Sequence, residues 1–114
     1  LLVTNKKRKM EKTNACPVSS FTIMLGGKWK LPIINTIRKT NKIRFGKLHA
    51  SIPVISRKVL TDQLKELAKD GLIIRTPYSE TPPRVEYSLT DASKNLCSVF
   101  NEIESWSNNF IKKN

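Results

Sequence analysis

The chain has 114 residues, enough for one domain that buries about two thirds of the surface exposed by its unfolded form, so folding requires neither a disulfide nor a metal. Twenty-one Lys and Arg residues against nine Asp and Glu residues give a net charge of +12. This excess favours nucleic acid as the first candidate partner and an acidic membrane surface as the second. No stretch approaches the roughly 20 continuous apolar residues of a membrane span, and no apolar core follows the charges of LLVTNKKRKMEKTN, so we expect a cytoplasmic protein without a secretory signal.

The sequence offers little material for catalysis or metal binding. Cys16 and Cys97 stand far apart without a metal-binding spacing, and His49 is the single histidine. The stretch LGGKWK has glycines and a lysine but not the spacing of a phosphate-binding loop. We therefore expect no metal, no cofactor and no enzymatic activity, and a hydrolase or transferase is the least favoured hypothesis.

In chain order, a basic arm comes first. Residues 1–14 are polar, strongly basic and without periodicity, which is typical of a solvated arm or of one that reaches a phosphate backbone or a second subunit. Residues 15–114 are predicted to be a single helix-rich domain. A first helix opens at Pro17, carries apolar side chains at helical spacing, and stops at Gly26 and Gly27.

Three further elements are predicted before the middle of the chain. A second helix begins near Lys28, where Pro32 is tolerated because N–H groups of the first turn have no partner within the helix. Ile43 indicates a short strand. Phe45 and Leu48 then indicate a brief helix, and Pro53 ends this unit.

The stretch SRKVLTDQLKELAKDG predicts a helix from Ser56 to Asp70. Ser56 is a favourable N-cap residue, and Gly71 stands where a C-capping glycine belongs. Its apolar residues recur on one helical stripe, and they are Val59, Leu60, Leu64, Leu67 and Ala68. Basic and polar residues lie on the opposite face, which either faces solvent or contacts an acidic partner.

After Gly71 the apolar period changes from 3.6 to 2. LIIRTPY and RVEYSLT are predicted to form the strands of a β-hairpin, joined by the turn-rich segment SETPP. Thr90 is predicted to cap a last helix whose apolar residues follow steps of four and three, as in a helix–helix seam. That seam contains Ala92, Leu96, Val99, Ile103, Trp106 and Phe110.

This order of elements predicts a mainly α fold with a small β-hairpin wing, a winged helix-turn-helix. In that plan the second helix of the motif enters the DNA major groove, and the hairpin behind it meets the flanking backbone or minor groove. The predicted DNA-binding residues are Ser56, Arg57, Lys58, Thr61, Lys65 and Arg84. A small basic RNA-binding protein is the alternative, and an aromatic face on the sheet would favour it.

Four segments resemble the HxlR-type winged helix-turn-helix transcriptional regulators of bacteria, within the MarR-like group. They are CPV at Cys16, GGKWKLPII from Gly26, RFGKLHASIPVISRKVLTDQLKELAKDGLI from Arg44, and PPRVEYSLT from Pro82. The resemblance implies a homodimer on a roughly palindromic operator, which represses or activates nearby genes without catalysis. It also implies that N- and C-terminal helices meet at the dimer interface.

The predicted interface residues are Phe21, Leu96, Val99, Ile103, Trp106 and Phe110. Cys16 precedes a predicted helix N-terminus in a basic neighbourhood, and both features lower a thiol pKa and raise its reactivity. The resemblance adds that some members sense oxidants or electrophiles through a cysteine at this motif. Cys16 is therefore a candidate redox sensor, with Cys97 as a candidate resolving partner, and a structural role is the alternative.

Overall fold

The second helix of the chain forms the centre of the fold. In the computed structural model, which describes residues 16–111, α1 is Pro17–Leu25 and α2 is Lys30–Thr40. Three isoleucines of α2, Ile33, Ile34 and Ile37, are completely buried, and the remaining elements pack around them. Pro32 lies in the first turn of α2, as predicted, where its missing N–H costs no helical hydrogen bond.

The helix-turn-helix unit follows as predicted. A short strand β1 is Lys42–Arg44, helix α3 is Phe45–Ser51, and helix α4 is Arg57–Lys69. The Ser56 hydroxyl caps α4 by accepting a hydrogen bond from the Val59 N–H at 3.0 Å. Gly71, with φ of +80°, follows α4 in the left-handed conformation that a glycine adopts without steric cost.

The turn between α3 and α4 is held by the single histidine. The Nε2 atom of His49 lies 2.9 Å from the carbonyl oxygen of Ile55, and because a carbonyl can only accept, Nε2 carries the proton. His49 therefore has a structural role that its position in the sequence does not indicate. It links the first helix of the motif to the residue just before the N-cap of the second.

The predicted hairpin is part of a three-stranded antiparallel sheet. Strand β2 is Ile73–Tyr78, strand β3 is Arg84–Leu89, and β1 pairs with the other edge of β3 to give the order β1-β3-β2. Tyr87 stands opposite Ile43 on one side and Arg75 on the other. This pairing attaches the wing to the start of the helix-turn-helix unit.

The prediction of one continuous helix after Thr90 is wrong. The chain forms a single turn, α5, Asp91–Lys94, and starts again as α6, Cys97–Phe110. The reason is a pair of hydrogen bonds to the turn that follows α4. The Thr90 hydroxyl donates to the Gly71 carbonyl at 2.8 Å, and the buried Ser93 hydroxyl donates to the Leu72 carbonyl. These bonds orient α5 with Ser93 inward, so Ala92, predicted to belong to the apolar seam, is exposed.

The predicted basic arm, residues 1–14, lies outside the described residues, as do the first residue and the last three of the predicted domain 15–114. Between residues 16 and 111, the helices are all too short or too polar to cross a membrane.

Candidate nucleic-acid interface

The exposed face of α4 carries the predicted base-reading residues. Positions 57, 58, 61 and 65 share one side of the helix, while Leu60, Leu64 and Leu67 are buried on the other. Arg57 and Lys65 are exposed, and Thr61 is half-buried. This helix is therefore anchored by its leucines, and the basic residues on its other side are exposed.

Two of the predicted residues on α4 have partners within the chain. The Ser56 hydroxyl is occupied by the N-cap bond to Val59. The Lys58 Nζ lies 2.7 Å from an Asp62 carboxylate oxygen one turn along the helix. This hydrogen-bonded ammonium lowers the pKa of the Asp62 carboxyl, which therefore stays ionised and competes with a phosphate for Lys58.

A cleft of about 770 Å³ separates the start of α4 from the wing. Four cationic side chains contribute to its lining, and the described lining contains no carboxylate; the cations are Arg44, Lys47, Arg57 and Arg84. Phe45 and Val85 supply apolar surface between them. Arg57 lies over the Phe45 ring, with its guanidinium carbon 4.8 Å from the ring centroid, which directs it along the cleft wall.

The wing residue Arg84 is held by its own hairpin. Its guanidinium lies 4.1 Å over the Tyr78 ring, and it forms ion pairs with Glu80 at the hairpin tip and with Glu86 on the same strand, the latter at 3.3 Å. Only 25% of its side chain is exposed. To contact DNA, Arg84 must exchange at least one of these carboxylates for a phosphate, whereas Arg57 is exposed already.

Arg44 and Lys47 were not among the residues predicted to bind DNA. Both side chains are exposed, and both also line a second open cavity of about 550 Å³, which includes residues of β1 and Glu86 of β3. The segment NKIRFGKLH contains three cations and no acid, and this imbalance is the signal that identifies them in the sequence. Strand β1 and helix α3 place Arg44 and Lys47 in the same cleft as Arg57.

The predicted dimer residues divide into two groups. Val99, Ile103, Trp106 and Phe110 project from α6 into solvent, with Trp106 and Phe110 stacked at 5.0 Å between ring centroids. Leu96 and Phe21 instead pack partly buried against the protein's own core. The apolar side chain at position 100, Phe100, is buried in that core as well and attaches α6 to the body of the protein.

Helix α1 also leaves apolar surface uncovered. Leu25 is its one buried residue, while Val18 and Ile23 are exposed. The first and last helices of the described chain therefore each carry exposed apolar side chains.

The two cysteines form no disulfide and differ in environment. Cys16 is exposed at the N-terminus of α1, where the backbone N–H groups of Ser19 and Val18 approach its sulfur and hold the pKa of its thiol below the usual value. Cys97 is half-buried at the first position of α6. Across residues 16–111, no group of three or more His, Cys, Asp or Glu side chains is arranged to hold a metal ion.

Comparison with known proteins gives consistent matches over most of the chain. Residues 24–114 match the family described as HxlR-like helix-turn-helix. An uncharacterized HTH-type transcriptional regulator of Halalkalibacterium halodurans is 40% identical over 100 residues, which cover 88% of each protein.

Solved structures agree with the sequence matches. A protein assigned to the MarR family of transcriptional regulators, from Porphyromonas gingivalis W83, superposes with a TM-score of 0.79 at 41% identity, covering 86% of this chain and 95% of that one. The redox regulator HypR in its reduced form superposes with a TM-score of 0.76 at 34% identity, covering 82% and 92%. The helix-turn-helix unit with its capped second helix α4, the wing and these matches lead to one conclusion: the chain belongs to the HxlR-like helix-turn-helix family.

Proposed function

We propose that the protein is a DNA-binding transcriptional regulator of the cytoplasm, which acts as a homodimer on a palindromic operator. Membership of a helix-turn-helix family, with relatives named as transcriptional regulators, supports DNA-binding regulation. In this proposal α4 enters the major groove, and the wing lies beside the flanking backbone.

The observation that carries the proposal is the cationic cleft between α4 and the wing. Its four cations line a cleft of about 770 Å³ and are suited to phosphate oxygens, while their apolar neighbours can pack against deoxyribose. Arg57 at the edge of the cleft is exposed at the N-terminal end of α4, the end that reaches base edges in this motif. Arg44 and Lys47 are proposed to contact phosphates.

An RNA-binding function is less well supported by the sheet. Sheet-based recognition of single-stranded RNA uses exposed aromatic side chains on which bases stack. Tyr87 is buried in the core, and Tyr78 is covered on one face by Arg84. The described sheet therefore presents no open aromatic platform.

Binding titrations against duplex DNA and single-stranded RNA, each at two salt concentrations, test the function. We expect duplex DNA from the region upstream of the gene to bind more tightly than RNA, and a footprint with two related half-sites about 34 Å apart. Equal binding of any duplex, with no footprint, would leave only a general polyanion-binding protein. Tighter binding of single-stranded RNA would favour the alternative function.

The homodimer is proposed to form through the apolar surface of α6 and α1. Four large side chains of α6 and two of α1 are exposed, more than a protein of this size usually leaves in contact with water. Joining two copies by a two-fold axis through their terminal helices would relate the two α4 helices by the same symmetry as the two halves of a palindromic operator.

Cys16 is proposed as the site of a redox or electrophilic signal. Its sulfur is exposed and its thiol pKa is lowered, so a larger fraction is thiolate, the reactive form, at neutral pH. The similar protein HypR is named a redox regulator. Because Cys16 lies beside the proposed dimer surface, its modification would change how two α4 helices are spaced.

A further inference from the structure

Helix α2 carries two cations that are buried more deeply than their partners. Near its start, the Lys30 Nζ lies 2.8 Å from a carboxylate oxygen of Glu66 on α4, with 11% of the lysine side chain exposed. Near its end, an Arg38 Nη atom lies 3.1 Å from a carboxylate oxygen of Glu104 on α6, again with 11% of the side chain exposed. One helix is thus bound by ion pairs to both the reading helix and the proposed dimer helix.

Arg38 holds α6 through several atoms at once. Its Nε donates to the side chain of Asn35 at 2.8 Å, and its two Nη atoms donate to Asn101 and Glu104 at 3.4 and 3.1 Å. The guanidinium carbon also lies 5.1 Å from the centroid of the Phe100 ring. Positions 100, 101 and 104 lie on one side of α6, so a planar fork that contacts all three fixes the rotation of α6 about its own axis.

The neighbouring cation does not have this geometry. The Lys39 Nζ also lies 3.1 Å from the Glu104 carboxylate, but 57% of its side chain is exposed and it has a single point of contact. An exposed single-point ion pair restrains orientation weakly, because a flexible side chain follows its partner. Lys39 and Arg38 therefore carry the same charge and contact the same carboxylate. They differ because only Arg38 makes several contacts in fixed directions.

We propose that Arg38 is a positioning residue which, through α2, fixes the angle between α6 and α4 and thereby selects the half-site spacing of the operator. The inference rests on the proposed function, since it requires a dimer formed by α6 and DNA read by α4. Ile33, Ile34 and Ile37 of α2 are completely buried, and this close packing opposes sliding of the helix. Its eleven residues span roughly 16 Å at about 1.5 Å per residue. If α2 tilted by about 12°, its end would move by roughly 3.4 Å, which equals the rise of one base pair along DNA.

The test measures affinity for a set of duplexes whose two half-sites are separated by successive single base pairs. We expect the wild type to lose at least tenfold in affinity for one base pair of deviation, and Arg38→Met to lose less than threefold. Lys39→Met is the matched control, because it removes the same charge and an ion pair to the same carboxylate; it should retain the wild-type spacing profile. A wild-type profile in Arg38→Met, or an equal flattening in both variants, would overturn the proposal.

A second measurement does not require DNA binding. Spin labels on Lys69→Cys, in a protein with Cys16→Ser and Cys97→Ser, report the distance between the two α4 helices of a dimer. Arg38→Lys, a milder change, should broaden this distribution, while Lys39→Met should not; unchanged distributions in both would overturn the proposal. If the wild type is a dimer but binds no duplex at any spacing, the proposed function fails while this distance measurement still tests Arg38.

Discussion

At the scale of single residues, short polar contacts determine how the helix-turn-helix unit is held. Ser56 caps α4, His49 holds the preceding turn, and Gly71 lets the chain leave α4 in the left-handed conformation. Ser56 and His49 each provide a hydrogen-bond partner for a backbone group, and Gly71 adopts a positive φ. The stability of this unit therefore depends on a few positions outside the apolar core.

Gly71 and Gly46 form a matched pair for testing this dependence. A Cβ at either glycine would meet no atom within 4 Å, but only Gly71 has a positive φ. We expect Gly71→Ala to destabilise the protein by about 1–2 kcal/mol because of its left-handed backbone. Gly46→Ala, within α3, should be neutral or stabilising by up to about 1 kcal/mol. Denaturant unfolding at one fixed protein concentration measures both, and equal effects would contradict the assignment.

Cys16 provides a second prediction at this scale. Because the N–H groups of Ser19 and Val18 lower its thiol pKa, thiolate should persist to lower pH than in a free cysteine. In the variant Cys97→Ser, alkylation by iodoacetamide should therefore keep its rate at pH values where a model thiol has slowed. The rate should fall only as the pH drops through the lowered pKa, and a profile like that of free cysteine would refute the prediction.

The signalling role of Cys16 requires a separate measurement. After treatment with a quinone or hypochlorite, the wild type should lose operator affinity and Cys16→Ser should retain it. The variant Cys97→Ser then shows whether the response needs a disulfide. Cys97 is required only if oxidation joins it to Cys16, and not if Cys16 is modified by itself. If the wild type and Cys16→Ser lose binding equally, or neither loses it, a structural role is the better description.

At the scale of elements, α4 and the β1–α3 segment have different tasks at the proposed interface. Arg57 is exposed at the start of α4, where a side chain reaches base edges, while Lys47 on α3 lines the cleft wall. Base contacts specify sequence, and phosphate contacts provide salt-dependent affinity. The two residues should therefore produce different phenotypes.

Arg57→Ala should cost about 1–3 kcal/mol on the operator and relax specificity at one position of each half-site. Lys47→Ala should weaken all sequences about equally and flatten the salt dependence, by roughly 0.9 per lost phosphate contact in each protomer. Lys94→Ala is the charge-matched control, since Lys94 lies on α5 beside a different cavity. Fluorescence titrations at four salt concentrations measure all three. The assignment of tasks fails if Arg57→Ala and Lys47→Ala behave alike.

At the scale of the whole molecule, the described chain combines the proposed DNA-binding face with exposed apolar residues on its first and last helices. Phe100 and Leu96 anchor α6 to the core, and the rest of its apolar side faces outward. A monomer would expose Trp106 and Phe110 by 56% and 64%. This division between an inner and an outer side predicts which residues of α6 support folding and which support assembly.

Ile103→Asp should yield a folded monomer in sedimentation at concentrations where the wild type is dimeric, because a carboxylate would be buried in the interface. Glu102→Gln, an exposed change one residue away, should leave the dimer intact. Phe100→Ala should instead lower thermal stability, since Phe100 lies in the core. A dimer unchanged by Ile103→Asp would exclude α6 from the interface.

The sequence alone determined most of the helices and strands, and its charge favoured nucleic acid as the partner. Helical stripes, the Ser56 cap, Gly71 and the alternation in the wing are local patterns, and a short stretch of chain is enough to express them. The excess of Lys and Arg over Asp and Glu is counted directly from the composition. For the same reason the helix-turn-helix order and most of the basic face of α4 could be predicted before any contact was known.

Only the tertiary structure decided the features that depend on residues far apart in the chain. The break before α6 follows from the bond between Ser93 and the Leu72 carbonyl, and the inward position of Leu96 follows from that break. Arg44 joins the cleft because β1 pairs with β3. The hold of Arg38 on Glu104 spans 66 positions. Periodicity shows which side of a helix is apolar, but the partner of that side is fixed only when distant segments pack together.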